Sequence, residues 1–187
     1  YNRASVSPDQ PGWFADSDGV FCIRTEKNRE GETEWVLMED KGPGVITKIW
    51  AVCFYYGLDD TTGANLKIYL DGEEEPTINC NFFEFVKGES FVKPPLAMET
   101  RRAGNSYLPI PYAKSCKVTM DKKVFYNIIS YRSYPQGTSV RTFSMDEYNQ
   151  SQVLIDSVGH VLERGVYGDL ASTKNTEAYS FHKTLRP

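Results

Sequence analysis

The sequence predicts an all-β fold: an antiparallel jelly roll or β-sandwich carrying one C-terminal helix. Three observations lead there. Aromatic residues make up 13% of the 187 positions, led by twelve Tyr and ten Phe, and such side chains favour pleated strands. Short apolar runs recur between Gly, Pro and Asn turn signals along most of the chain. Only one stretch, near the C-terminus, repeats at the helical period, so strands do not alternate with helices as they do around a parallel sheet. The length suits one domain with its own core.

Residues 1–18 are polar and turn-rich, with Pro8, Pro11, Gly12 and Asp16-Ser17-Asp18-Gly19, and read as an irregular arm carrying Trp13 and Phe14. The sandwich is expected over residues 19–143. Val20 to Thr25 and Glu34 to Asp40 read as strands joined by a turn at Asn28 to Gly31. Behind the turn Lys41-Gly42-Pro43-Gly44, the β-branched and aromatic run from Val45 to Tyr56 reads as a central strand, apolar on both faces. Asn65 to Asp71 alternates, with Leu66, Ile68 and Leu70 on one face and Lys67, Tyr69 and Asp71 on the other.

Pro76 to Val86 reads as a further strand on Ile78, Cys80, Phe82 and Phe83. Residues 87–106 show no periodicity and read as a long loop, of the kind that often carries function. Tyr107 to Ala113, broken by Pro109 and Pro111, reads as an edge strand; Ser115 to Asp121 and Val124 to Tyr134 complete about eight. Ser144-Met145-Asp146-Glu147 is a capping box, and Leu154, Ile155, Val158, Val161 and Leu162 form one apolar stripe closed by Gly165. One helix is therefore expected over 144–165. Residues 166–187 are polar and read as a tail, or a linker toward a second domain.

A net charge of -4 with scattered Lys and Arg offers no footprint for nucleic acid. No apolar run approaches the ~20 residues that span a bilayer. The first residue is Tyr1 rather than Met, which fits removal of a leader and a secreted or periplasmic, bacterial location. Cys22, Cys53, Cys80 and Cys116 are too widely spaced for a redox pair or a zinc cluster and read as buried thiols, with disulfides left open. His160 and His182 lack ligand spacing, and phosphate, dinucleotide, nucleophile-elbow and zinc-protease motifs are all missing. No metal and no cofactor is expected.

Two chemistries remain to weigh. Cleaving a glycosidic bond needs two carboxylates about 5 to 10 Å apart, and Glu26, Glu34 and Glu39 fall on or beside neighbouring strands, but spacing assigns no catalytic pair. Sugar binding is better represented, because it uses aromatic faces and fixed polar forks. The stretch from Met98 to Tyr107 supplies Arg101, Arg102, Asn105 and Tyr107, and the arm supplies Trp13 and Asp16. The candidate substrate-binding residues are Trp13, Asp16, Arg102, Asn105 and Tyr107. The plainer reading has Trp13 stapling the arm to the sandwich and both arginines facing solvent. Trp35 and Trp50 read as core.

Five segments occur in a recognisable order: Asp18-Gly-Val-Phe-Cys-Ile-Arg-Thr-Glu26, Glu34-Trp-Val-Leu-Met38, Gly42-Pro-Gly-Val-Ile-Thr-Lys-Ile-Trp50, Leu66-Lys-Ile-Tyr-Leu-Asp-Gly72 and Asn105-Ser-Tyr-Leu-Pro-Ile-Pro-Tyr-Ala-Lys-Ser115. Together, across residues 13–143, they resemble glycoside hydrolase family 172, formerly the domain of unknown function DUF2961. The resemblance implies two jelly-roll domains per chain, assembly into trimers or larger homo-oligomers, and retaining cleavage of fructofuranosides or D-arabinofuranosides in an oligo- or polysaccharide. It also implies that the catalytic glutamates lie in a second half, so that these residues would contain none. The opening Asn2-Arg3-Ala4-Ser5 departs from the family's Ser- and Gly-rich start, which bears on substrate identity. The rival expectation is a non-catalytic carbohydrate-binding or structural module.

Overall fold

The structure, a computed structural model, describes residues 22–52, 64–122 and 126–163. Its strands are β1 (Arg24–Lys27), β2 (Thr33–Lys41), β3 (Gly44–Val52), β4 (Asn65–Leu70) and β5 (Ile78–Asn81), followed by helix α1 (Phe82–Lys87). Then come β6 (Ala97–Thr100), β7 (Ala103–Ser106), β8 (Ile110–Tyr112), β9 (Ser115–Met120) and β10 (Asn127–Ser133), and the helices α2 (Met145–Gln150) and α3 (Gln152–Glu163). Sheet A has the order β1-β2-β9-β4-β5, and sheet B the order β10-β3-β7-β6 with β8 also against β3. Every pairing is antiparallel. The fold is an antiparallel β-sandwich.

Alternation decides which side chains meet between the sheets. On β4, Leu66, Ile68 and Leu70 are buried, and on β9 Cys116, Val118 and Met120 join them. Sheet B answers with Ile46, Ile49, Ala51, Ile110 and Tyr112, all in the same core. The Tyr112 hydroxyl donates to Asp40 Oδ2 at 2.7 Å, and Ser133 Oγ donates to the same oxygen at 2.9 Å, so one carboxylate ties β2 to β8 and β10. A second clasp is Asp71, held at φ 56 just past β4. Its Oδ1 accepts from the amides of Ala113, Lys114 and Ser115 at 2.9, 2.6 and 3.2 Å, and Oδ2 accepts from the Thr142 hydroxyl. Burial alone would raise this carboxyl; the Thr142 hydroxyl and the three amides outweigh it and hold the group below the ordinary carboxylate range.

The expected strand from Pro76 to Val86 ends early, at Asn81, and its aromatic half is helix α1. Asn81 Oδ1 caps it by accepting from the amides of Phe83 and Glu84 at 3.0 and 3.1 Å. Gly88 closes it in the left-handed region at φ 85. Phe82, Phe85 and Val86 face the core, and α1 lies so close on β7 that a Cβ at Gly104 would meet Val86 Cγ2 at 2.5 Å. The stretch 87–106, expected as a loop, contains the hairpin β6–β7, and β3 buries only one of its faces.

The expected helix over 144–165 is two. Ser144 Oγ accepts from the Glu147 amide at 3.2 Å, as the capping box requires, but the chain breaks at Ser151. In α3 most of the apolar stripe stays exposed: Leu154 is 65% exposed, Val158 42%, Val161 49% and Leu162 46%. Ile155, half-buried against the core, and Gly159, seated on Pro95, touch the sandwich. Trp35 and Trp50, expected in the core, are both half-buried. Among the described residues no helix is long and apolar enough to cross a membrane.

Candidate functional site

Each sheet has an outer face, and the two differ in chemistry. On sheet B the register sets Ile128 opposite Trp50 and Trp50 opposite Asn105, with Met98 opposite Asn105 on the other side. Directly opposed residues share a face, so these four form one row across the sheet. Beside it lie Ser130, Lys48 and Tyr107, the Lys48 ammonium 5.4 Å from the Tyr107 ring centroid. Ile128, Met98 and Tyr107 are exposed. Asn105 is buried and donates from Nδ2 to Thr100 Oγ1 at 3.2 Å, which fixes the direction of its amide.

The sequence-expected residues thus divide. Asn105 and Tyr107 come together on this face, spaced by two along an extended segment. Arg102 is exposed in the tight turn between β6 and β7, next to Arg101 at φ 61. Trp13 and Asp16 lie outside the described residues, as does His182, whereas His160 is exposed on α3 beside Glu163 at 3.6 Å. Among the described residues no group of His, Cys, Asp and Glu is arranged to hold a metal. Cys22, Cys80 and Cys116 are free thiols; burial first, then nearby carboxylates, pushes Cys80 and Cys116 up to about 12.

Sheet A presents charge instead. A depression of about 700 Å³ lies over its outer face, walled by the β1–β2 turn, including Asn28, Arg29 and Glu30, and by the β4–β5 turn, including Gly72, Glu74 and Pro76. Glu34 and Glu26 are directly opposed on β2 and β1 in its floor. Glu34 is only 1% exposed and fully engaged: Lys67 Nζ donates at 2.6 Å, Thr119 Oγ1 at 2.6 Å and the Tyr69 hydroxyl at 3.2 Å. Glu26 accepts from Lys117 Nζ at 2.6 Å, and that ammonium sits 4.5 Å from the Tyr69 ring centroid. Arg24 reaches both Glu26 and Glu39, at 2.9 and 2.8 Å.

Glu34 in this opposed pair does not have the electrostatics of a glycosidase's general acid. Burial works to raise Glu34, yet the Lys67 and Thr119 hydrogen bonds and the Lys67 charge win, leaving the group lowered. A general acid must be raised so as to hold a proton at working pH. Tyr69 is pushed up instead, by burial and by the Glu34 charge, so it remains a neutral donor. The network is a set of locked hydrogen-bonding groups. Sequence reading noted Glu26, Glu34 and Glu39 as neighbours but missed Lys67, Tyr69, Lys117 and Thr119 as their partners. The signal was the wet face of β4, where Lys67 and Tyr69 alternate with core residues.

Two antiparallel sheets around one core, with an aromatic outer face and a charged one, define a β-sandwich module. The family model for the GH172 first beta-sandwich domain matches residues 1–151, and the chain belongs to this glycoside hydrolase family. A search of curated proteins gave no match.

Proposed function

We propose that this sandwich is the non-catalytic half of a furanoside-cleaving hydrolase, helping to hold a fructofuranoside or D-arabinofuranoside saccharide for glutamates that lie outside these 187 residues. The observation that carries the reading is the outer face of sheet B, where Trp50, Asn105 and the neighbouring Tyr107 combine aromatic surface with an amide of fixed direction. Aromatic faces meet the C–H surface of a sugar ring, and the amide supplies a donor and an acceptor to its hydroxyls. Arg102, in the turn between β6 and β7, adds a planar fork, and Trp13 and Asp16 belong to the same proposed site. The locked Glu26 and Glu34 support a catalytic centre elsewhere. Homo-oligomeric assembly and export complete the proposal.

The test compares the 187-residue chain with the product of the complete reading frame on aryl α- and β-D-arabinofuranosides and on fructofuranosides, following released sugar and its anomeric form. Activity confined to the longer product, with net retention and a loss of about tenfold in kcat/KM for Tyr107→Ala, the equivalent of about 1.4 kcal/mol, is the expected result. Inactivity of a folded longer product toward every furanoside would leave a carbohydrate-binding or structural module.

A further inference from the structure

The depression on sheet A has no part in that reading, and its construction calls for an occupant. Its volume of about 700 Å³ lies inside the range of small-ligand sites, about 300 to 1,000 Å³. Its floor is rigid, because Lys67 and Tyr69 are both tethered to a carboxylate that is 1% exposed, and Lys117 is tethered to Glu26. Such a network is a poor stabiliser. Replacing a buried ion pair by apolar residues of similar size is often neutral or favourable, so stability alone does not account for it. Pre-positioned donors and acceptors are what a hydroxyl-rich ligand needs.

The charges exclude an anionic ligand. Seven carboxylates line the depression, at Glu26, Glu30, Glu32, Glu34, Glu73, Glu74 and Glu75, against four cations, Lys27, Arg29, Lys67 and Lys117. Two of the pairs cancel in the floor, Glu34 with Lys67 and Glu26 with Lys117. The remaining excess, five carboxylates against two cations, sits in the walls and repels uronates, sulfated sugars and phosphates. Arg29 leans across the opening toward Glu74 and Glu75 at 4.0 and 3.6 Å, an exposed contact weak enough to part for a ligand.

We propose that this cleft is a second saccharide site, which takes an uncharged oligosaccharide on the sheet opposite the Tyr107 face. The ligand class rests on the carbohydrate reading above; the residues are independent of it.

The experiment is calorimetric titration of the 187-residue chain with neutral arabino- and fructo-oligosaccharides, with oligogalacturonate and with spermine. Asn79→Ala and Lys117→Met remove polar groups that line the cleft, and Tyr107→Ala removes the ring on the other face. Circular dichroism and thermal melting check that each variant folds. The expected result is a neutral-oligosaccharide binding event that persists in Tyr107→Ala and is weakened at least fivefold by Asn79→Ala and by Lys117→Met, with no uronate binding. Binding lost in Tyr107→Ala but kept in Asn79→Ala overturns the cleft and leaves the sheet B reading intact. Preference for uronate or spermine, or no sugar binding by the folded chain, also overturns it.

Discussion

A carboxylate as deeply covered as Glu34 stays ionised only while its donors stay in place. Lys67→Met removes its counter-charge and leaves an uncompensated anion under Tyr69 and Thr119, which costs about 3 to 5 kcal/mol. Adding Glu34→Leu restores most of that loss, because an apolar pair of similar volume no longer needs solvating. Urea midpoints of the two variants check both statements. The acid limb of stability follows from the same residues. Glu34 and Asp71 both titrate lower in the folded chain than unfolded, so their contribution is complete above the unfolded carboxylate range and is lost as pH falls through their folded values. Lys67 is raised, so its contribution holds below the unfolded lysine value and fades only in strong alkali. Unfolding free energy at pH 7 should therefore exceed that at pH 3, and Glu34→Gln should flatten the difference.

Among the elements, β4, β9 and the capping box were legible because each is decided locally: strict alternation exposes a sheet face, and Ser144 with Glu147 is a contiguous cap. Helix α1 was not, since Phe82, Phe83, Phe85 and Val86 favour strands by propensity, and what makes them helical is the Asn81 cap and the room that Gly104 leaves on β7. Gly104→Ala should drive a methyl into Val86 and lower stability by about 1 to 3 kcal/mol, read by thermal melting. The β6–β7 hairpin escaped notice because Ala-Met-Glu-Thr and Ala-Gly-Asn-Ser show no alternation of their own. Part of the sheet B face was readable from residue type alone, Asn105 as a polar fork and Tyr107 as an aromatic face. The sheet A cleft was not, because Glu26, Glu34, Lys67, Lys117 and Thr119 meet only through register. Helix α3 behaves oppositely to its pattern: Leu154 and Val158 are exposed, so Leu154→Glu with Val158→Glu should move the melting temperature little while sharply reducing binding of a hydrophobic dye.

For the molecule as a whole, one core serves both sheets and α1, and Cys80 and Cys116 report on it. Both thiols are strongly shifted away from the reactive thiolate at neutral pH, and Cys116 is buried beside Leu70 on the neighbouring strand. Labelling of Cys116 by a disulfide reagent should be slow in native conditions and should accelerate together with the loss of near-ultraviolet circular dichroism in urea. Labelling of Cys116 well before that transition would mean that sheet A opens separately from sheet B.

The Asp71 clasp reaches beyond equilibrium stability. Three successive amides in the turn between β8 and β9 point at one carboxylate that is itself anchored by Thr142. Turn amides ordinarily trade their protons with solvent within moments, but these three do so when the carboxylate lets go, and Ala113 only when the Thr142 hydroxyl, 3.2 Å away, releases it as well. In deuterated buffer Ala113, Lys114 and Ser115 should keep their protons about as long as the flanking strands do, and in Asp71→Ala they should be among the first to lose them. The turn between β8 and β9 would then serve as a clock for the seam where the two sheets and the approach to α2 are fastened together.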